Sequence, residues 1–471
     1  MNGAIVRIEQ VEIRNFKNVV HGIIGFKNTH KPYKASVLGL YGQNGSGKTA
    51  LIDVIDILKY VLSGRSVPTS YGACIRIHVD ADYAQIQYKL TMENAKEQVK
   101  YDVVYQFKLR KESLSPDEIT EMQPKDTFRV VVFDEVLSTA YQDAAQSQRL
   151  QKIIDTNAKE TAFLPTVKYD IFTGGNKAVA TDLLVAKRMA EQTGRSFIFS
   201  KECRKIFHEN CKEKHLTFLI DCLSEYGKSE LFVIDTKNTA MISLSNLPLA
   251  LKYHDDQIGA FGEVPIPLWD AGTIPSRVLE LLQKVIANMN IVLEQLVPGL
   301  TIGVVNLGEQ LLESGAKANR IQLVSLKNKK AIPLRFESEG IKKIISVLQL
   351  LIVVYNQPSI TVAIDELDAG IFEYLLGELL RIVSEKGKGQ LIFTSHNLRP
   401  LETIDRGFVA FTTVNPENRY IRMTNVKNSN NLRDFYYRDI TLGEQSETVY
   451  DPTNNYEIAL AFREASAIFV P

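Results

Sequence analysis

The run Gly42-Gln43-Asn44-Gly45-Ser46-Gly47-Lys48-Thr49 constrains this chain more than any other feature. It matches G-x-x-x-x-G-K-[ST] and stands between two segments of contrasting period. Before it, residues 36–41 (SVLGLY) read as a short apolar strand. After it, residues 48–62 place Leu51, Val54, Ile55, Leu58, Val61 and Leu62 on one helical face. The glycines let backbone N–H groups curl around phosphate oxygens, and the helix N-terminus adds a positive dipole end. Asn44, Gly45, Ser46, Gly47, Lys48, Thr49 and Ala50 are therefore the candidate phosphate-binding residues. Lys48 is expected to reach the β- and γ-phosphates of ATP, and Thr49 to ligate Mg2+.

Two later strands end in polar groups of matching chemistry. Ile360-Thr361-Val362-Ala363-Ile364-Asp365-Glu366 is an apolar strand that delivers two carboxylates. Asp365 is expected to hold Mg2+, and Glu366 to act as general base or to position the attacking water. Taken alone, an acidic pair at a strand end is a common surface feature. Leu391-Ile392-Phe393-Thr394-Ser395-His396 delivers a histidine to the carboxyl edge of a sheet, where open α/β folds bind ligands. His396 is expected to sense the γ-phosphate. Ser338 suits the N-cap of a helix, and Gly340 permits close approach of an anion to that helix end.

In this order, these motifs resemble the ATP-binding cassette superfamily, specifically its SMC/RecF and overcoming-lysogenization-defect branch. Ile13-Arg14-Asn15-Phe16-Lys17 is similar to that branch's N-terminal element, so the resemblance implies that Asn15 and Lys17 lie near the nucleotide. Glu337-Ser338-Glu339-Gly340-Ile341-Lys342 resembles a divergent signature motif. The resemblance implies that Ser338 and Gly340 close the phosphate site of a second copy in a head-to-tail homodimer. It covers 1–135 and 300–425, with three departures. Glu339 stands where the signature has glycine, Asp368 takes the last acidic position of the D-E-x-[ED] pattern, and Ile371-Phe372 replaces a Leu-His pair. The family's glutamine loop has no assigned position.

The stretch after His396 is short for the C-terminal nuclease of some relatives, which leads to the expectation of an effector, nuclease or toxin, acting in trans. The layout is similar to stand-alone ATPase subunits of anti-phage systems such as PARIS and Septu. A DNA-repair or chromosome-maintenance ATPase that clamps DNA directly is the alternative.

The expected fold class is α/β. A phosphate-loop ATPase core with a mixed sheet and an antiparallel β meander spans 1–135 and 300–471, and a mostly helical lobe is inserted at 136–299. Strands are expected at 4–16, 74–80, 83–92, 101–110, 128–133, 301–305 and 320–326. Helical character is expected over roughly 140–230, from Ser276 to Leu296, after Gly340, near 371–385 and at 455–468. No long heptad pattern appears, which argues against coiled-coil arms.

The 471 residues carry 55 Lys+Arg and 55 Asp+Glu, so no bulk attraction to nucleic acid or membrane follows. Local basic runs at Lys327–Lys330 and Lys342-Lys343 read as solvated turns or helix faces before they read as nucleic-acid contacts. No apolar run is long enough to span a bilayer, and four cysteines are too few for a disulfide framework, so a cytoplasmic location is expected. Cys203, His208, Cys211, His215 and Cys222 cluster at near-helical spacing. Zinc would need four converging ligands, and the neighbouring Phe207, Phe218 and Leu219 favour a packed face.

Overall fold

The computed structural model describes residues 4–28, 35–75, 82–94, 98–114, 127–144, 147–158, 160–235, 246–255, 258–267, 271–311, 315–327, 330–424, 431–443 and 445–467. The chain begins with β1 (Ala4–Phe16), β2 (Val19–Gly25), β3 (Ser36–Tyr41) and α1 (Lys48–Leu62). Strands β4 (Tyr83–Asn94), β5 (Val99–Ser113), β6 (Phe128–Gln142) and β7 (Ser147–Asp155) follow. Helices α2 (Thr166–Thr173), α3 (Lys177–Gln192), α4 (Lys201–Asn210) and α5 (Lys214–Glu225) lead to β8 (Leu231–Ile234). Next come β9 (Asn246–Asp255), β10 (Ile258–Pro267), β11 (Gly272–Pro275) and α6 (Ser276–Leu296). Then β12 (Leu300–Leu311), β13 (Lys317–Lys327) and β14 (Lys330–Pro333) precede α7 (Glu339–Asn356). The chain closes with β15 (Thr361–Ile364), α8 (Glu373–Lys386), β16 (Gln390–Thr394), β17 (Val409–Thr412), β18 (Tyr420–Ile421), α9 (Leu432–Leu442) and α10 (Asn455–Ala467).

The fold is mixed α/β, built on two six-stranded sheets. One is antiparallel, in the order β2-β1-β4-β5-β6-β7. The other runs β18-β17-β3-β16-β15-β8, and all its neighbours are parallel except β18 with β17. Helix α1 buries more than the one apolar face read from its sequence, since Ala50, Ile52 and Ile57 are buried as well. Tyr88 of β4 donates from its hydroxyl to Val54 O at 2.6 Å, fixing α1 against the antiparallel sheet. A second core gathers α6, α7 and α8 against the other side of the parallel sheet.

Gln390 bolts the two sheets together. Its side chain accepts from Ile8 N–H at 3.0 Å and donates to Ile8 O at 2.8 Å.

Several expectations change. The helical stretch expected from residue 140 starts only at Thr166, because β6 runs on to Gln142 and β7 forms an edge strand. Strand β7 is mostly polar and exposed, so it carries little apolar alternation to read. Strand β8 lies inside the segment 136–299 expected to be an inserted lobe, yet it pairs with β15 in the parallel sheet. Its four apolar residues follow a helix directly, and periodicity cannot tell such a run from a helix end. The hairpin β9–β10 adds further strand to that segment. The expected strand at 74–80 lies outside the described residues after Ile75, which makes an isolated bridge to Phe16. Residues 328–329 of the basic run also lie outside them.

Lys342 and Lys343 are buried, not solvated as expected. Burial lowers the Lys343 pKa, while Glu366, Asp365 and Asp368 raise it. Cys203, Cys211 and Cys222 sit in the first core, while His208 pairs with Asp221 at 2.6 Å and His215 packs its ring on Tyr141. No helix among the described residues is long and apolar enough to cross a membrane.

Candidate functional site

Parallel pairing brings the carboxyl ends of β3, β16, β15 and β8 to one edge. Their registers align Thr394 with Leu40, Ile364 with Phe393, and Ile364 with Ile234. The residues that follow each strand therefore meet. A cavity of about 800 Å³ opens at this edge, lined by Asn44, Gly45, Gly47, Lys48, Thr49 and Ala50 from the loop and α1. Asp365, Glu366 and His396 line it from the other side, with Lys17 from the β1–β2 turn.

The loop geometry follows from its glycines. Gly45 and Gly47 have φ of 77° and 101°, a left-handed conformation that glycine adopts without a Cβ penalty. Gly47 caps α1, so the N–H groups of the first helical turn face the cavity. Lys48 Nζ donates to Gly42 O at 2.8 Å and Gln43 O at 2.9 Å, spanning the loop. Burial lowers the Lys48 pKa, while Asp365, Glu366 and Asp368 raise it. Ser46 instead turns inward, donating to Gln43 O and meeting Thr412 Oγ1.

Asp365 is fully buried. Its Oδ1 accepts from Thr394 Oγ1 at 2.6 Å, while Oδ2 has no hydrogen-bond partner among the described residues. A buried carboxylate oxygen without a partner is costly unless a cation completes it. The donor set of Asp365 and Thr49, both hard oxygen ligands on one cavity, fits Mg2+. Glu366 has φ of 49°, rare for a residue with a Cβ, and its N–H donates to Thr394 Oγ1 at 2.8 Å. One threonine hydroxyl thus serves both carboxylate residues.

Lys17 also has a left-handed φ, 49°, and forms an ion pair with Asp53, one turn after Thr49 on α1. Asn15 lies elsewhere than expected. It lines a separate polar groove with Arg14, Tyr83 and Gln85, and Asn18 takes the place on the main cavity.

Ser338 and Gly340 do not line their own chain's cavity. Ser338 is exposed and caps α7, accepting from Ile341 N–H at 3.3 Å. The close approach that Gly340 allows is to Gly370 of the same chain, whose carbonyl oxygen would lie 2.2 Å from an added Cβ.

Sequence reasoning missed the chain after β17. Val414, Pro416 and Arg419 complete the cavity wall, and Tyr420 donates from its hydroxyl to Gly47 O at 2.9 Å. The Arg419 guanidinium donates to Thr413 O at 2.6 Å, and its stem packs against Gly47. No motif marks these residues. Only the pairing of β17 with β3 brings them to the loop.

No family model matches the sequence, and no curated protein matches it. The chain is similar in structure to an SMC head bound to the C-winged helix domain of ScpA. The identity is 14%, covering 88% of this chain and 98% of that one, with a TM-score of 0.36. The SMC head domain with an extended coiled coil bound to the C-terminal domain of ScpA, from Pyrococcus furiosus, is 11% identical. It covers 89% of this chain and 96% of that one at a TM-score of 0.37. The SMC head domain from Thermotoga maritima is 14% identical, covering 88% and 99% at 0.36. These neighbours share a name but lie too far away to assign chemistry, so the site is read from its own side chains.

Proposed function

We propose that this chain binds ATP with Mg2+ and hydrolyses it. The observation that carries the reading is the common cavity, where Lys48 and Thr49 face Asp365, Glu366 and His396. The N–H groups ahead of Lys48 and the α1 dipole cradle the phosphates, and Lys48 neutralises charge on the β- and γ-phosphates. Thr49 and Asp365 hold Mg2+, which when bound offsets phosphate charge. Glu366 orients the attacking water and takes its proton. His396, exposed at the cavity mouth, donates to the γ-phosphate.

The biological unit in this reading is a head-to-tail homodimer. Ser338, exposed at the N-cap of an 18-residue helix, and Gly340 in its first turn lie off their own cavity and serve the nucleotide of a second copy in this reading. The nucleotide then acts as a switch that holds or releases a separate effector, as in an anti-phage ATPase subunit. The alternative reading is a DNA-repair or chromosome-maintenance ATPase that clamps DNA directly. On the outer face of the antiparallel sheet, Lys108 and Arg14 are neutralised by Asp134 and Glu12. It would show as DNA-stimulated turnover that falls with salt.

The test is ATP binding and turnover of two variants. Lys48→Ala should lose measurable binding. Glu366→Gln should keep binding, lose turnover by roughly 100-fold or more, and persist as the ATP-bound dimer. Parental turnover in Glu366→Gln would overturn the base assignment.

A further inference from the structure

The chain leaves its own body at Asp451. Gln43 and Asp451 exchange hydrogen bonds, Asp451 N–H to Gln43 Oε1 at 2.9 Å and Gln43 Nε2 to Asp451 O at 3.4 Å. Just upstream, Val449 is buried and Thr448 O accepts from Val414 N–H at 2.8 Å. Beyond this anchor, every residue from 451 to 465 is exposed, including the first eleven positions of α10.

That exposure does not suit the composition of the helix. Tyr456 is 77% exposed and Phe462 75%, with Ile458 and Leu460 above 40%. At 100° per residue, Ile458, Phe462 and Ala465 form one apolar stripe, and Tyr456 and Leu460 form another on nearly the opposite side. Glu457 and Glu464 lie seven residues apart along one border between the stripes. A 13-residue helix is marginal in water by itself. One that is apolar on two sides suits a cleft, since a flat surface would cover only one stripe.

The molecule carries such a cleft on its helical side. A groove of about 430 Å³ runs beside α3 from Thr181 to Glu191, walled by exposed Leu184 and Val185 and closed on the other side by Ala158 and Thr161. Lys187 shapes its floor by donating to Thr156 O and Ala158 O, and exposed Arg188 stands in the lining. Ten helical steps make the groove about 15 Å long, and the stripe from Ile458 to Ala465 needs about 10 Å. In the arm Glu457 and Glu464 outnumber Arg463, and in the groove Lys187 and Arg188 outnumber Glu191, so the two are opposite in net charge.

We propose that α10 of one copy docks in the α3 groove of a second copy, so that the chain self-associates through an arm-in-groove contact. This contact is separate from the nucleotide-driven dimer, and it stands whether or not the ATP reading holds.

The test uses the full chain carrying Lys48→Ala, without nucleotide, so that ATP-driven pairing contributes nothing. Sedimentation should show concentration-dependent association, weakened at least tenfold by Phe462→Asp in the arm and equally by Val185→Asp in the groove. Mixing the two variants should restore a heterodimer, because one chain keeps a sound groove and the other a sound arm. Circular dichroism matching the parent checks that each variant folds. The proposal is overturned if the parent is monomeric at all concentrations, as it would be if the arm served a different protein or its own chain. It is equally overturned if the mixture fails to associate.

Discussion

Asp368 holds His396 in place through the backbone. Its Oδ2 accepts from His396 N–H at 3.1 Å and from Asn397 N–H at 2.9 Å, tying the loop after β15 to the loop after β16. The carboxylate that follows Glu366 thus positions the histidine that faces the cavity. Asp368→Ala should leave ATP affinity nearly unchanged and cut turnover by roughly tenfold, equivalent to about 1.4 kcal/mol of lost positioning. Separate binding and steady-state measurements check this. Equal loss of both would place Asp368 in binding.

Gly340 meets Gly370 backbone to backbone. A Cβ at 340 would sit 2.2 Å from Gly370 O, an atom that no rotamer change can move away. Gly340→Ala should destabilise the nucleotide-free chain by about 1–3 kcal/mol, measured by urea unfolding. A variant with parental stability but lost ATP-driven pairing would mean that the glycine serves the second copy instead.

Asp53 predicts a pH dependence. Burial pushes its carboxyl up to about 6, Asp365 and Asp235 add to the rise, and Lys17 opposes it. The folded chain therefore holds this proton more tightly than the unfolded chain. Between about pH 4 and 6 stability from this group falls as pH rises, by at most about 3 kcal/mol. Asp53→Asn removes that loss. Its stability relative to the parent should climb through this window and level off above pH 6, as unfolding at pH 4 and pH 7.5 would reveal. The same difference at both values would contradict the assignment.

Asp365 carries a buried oxygen without a hydrogen-bond partner among the described residues. Asp365→Asn should shift the stability of the nucleotide-free chain by no more than about 1 kcal/mol, because losing the buried carboxylate also removes its attraction for the buried Lys48 and Lys343. The same variant should lose the rise in Tm that Mg2+ with ATP gives the parent. A Tm that still rises as much as the parent's would remove Asp365 from the metal site.

What the sequence alone could determine was local. The run from Ser36 to Leu62 sets its strand, loop and helix through period and glycine placement, and its bounds match the structure residue for residue. The strand ahead of Asp365 and the helix from Ser276 to Leu296 were legible for the same reason. Tertiary structure decided everything that depends on remote segments meeting. Only sheet pairing draws β8 into the core and sets Asp235 beside Asp365, and only β17 carries Arg419 and Tyr420 to the phosphate loop. Packing likewise buries Lys343, which looked solvated, and exchanges Asn15 for Asn18 at the cavity. Period and turn chemistry act over a few residues, whereas burial and cavity lining depend on which distant chain segment lies alongside.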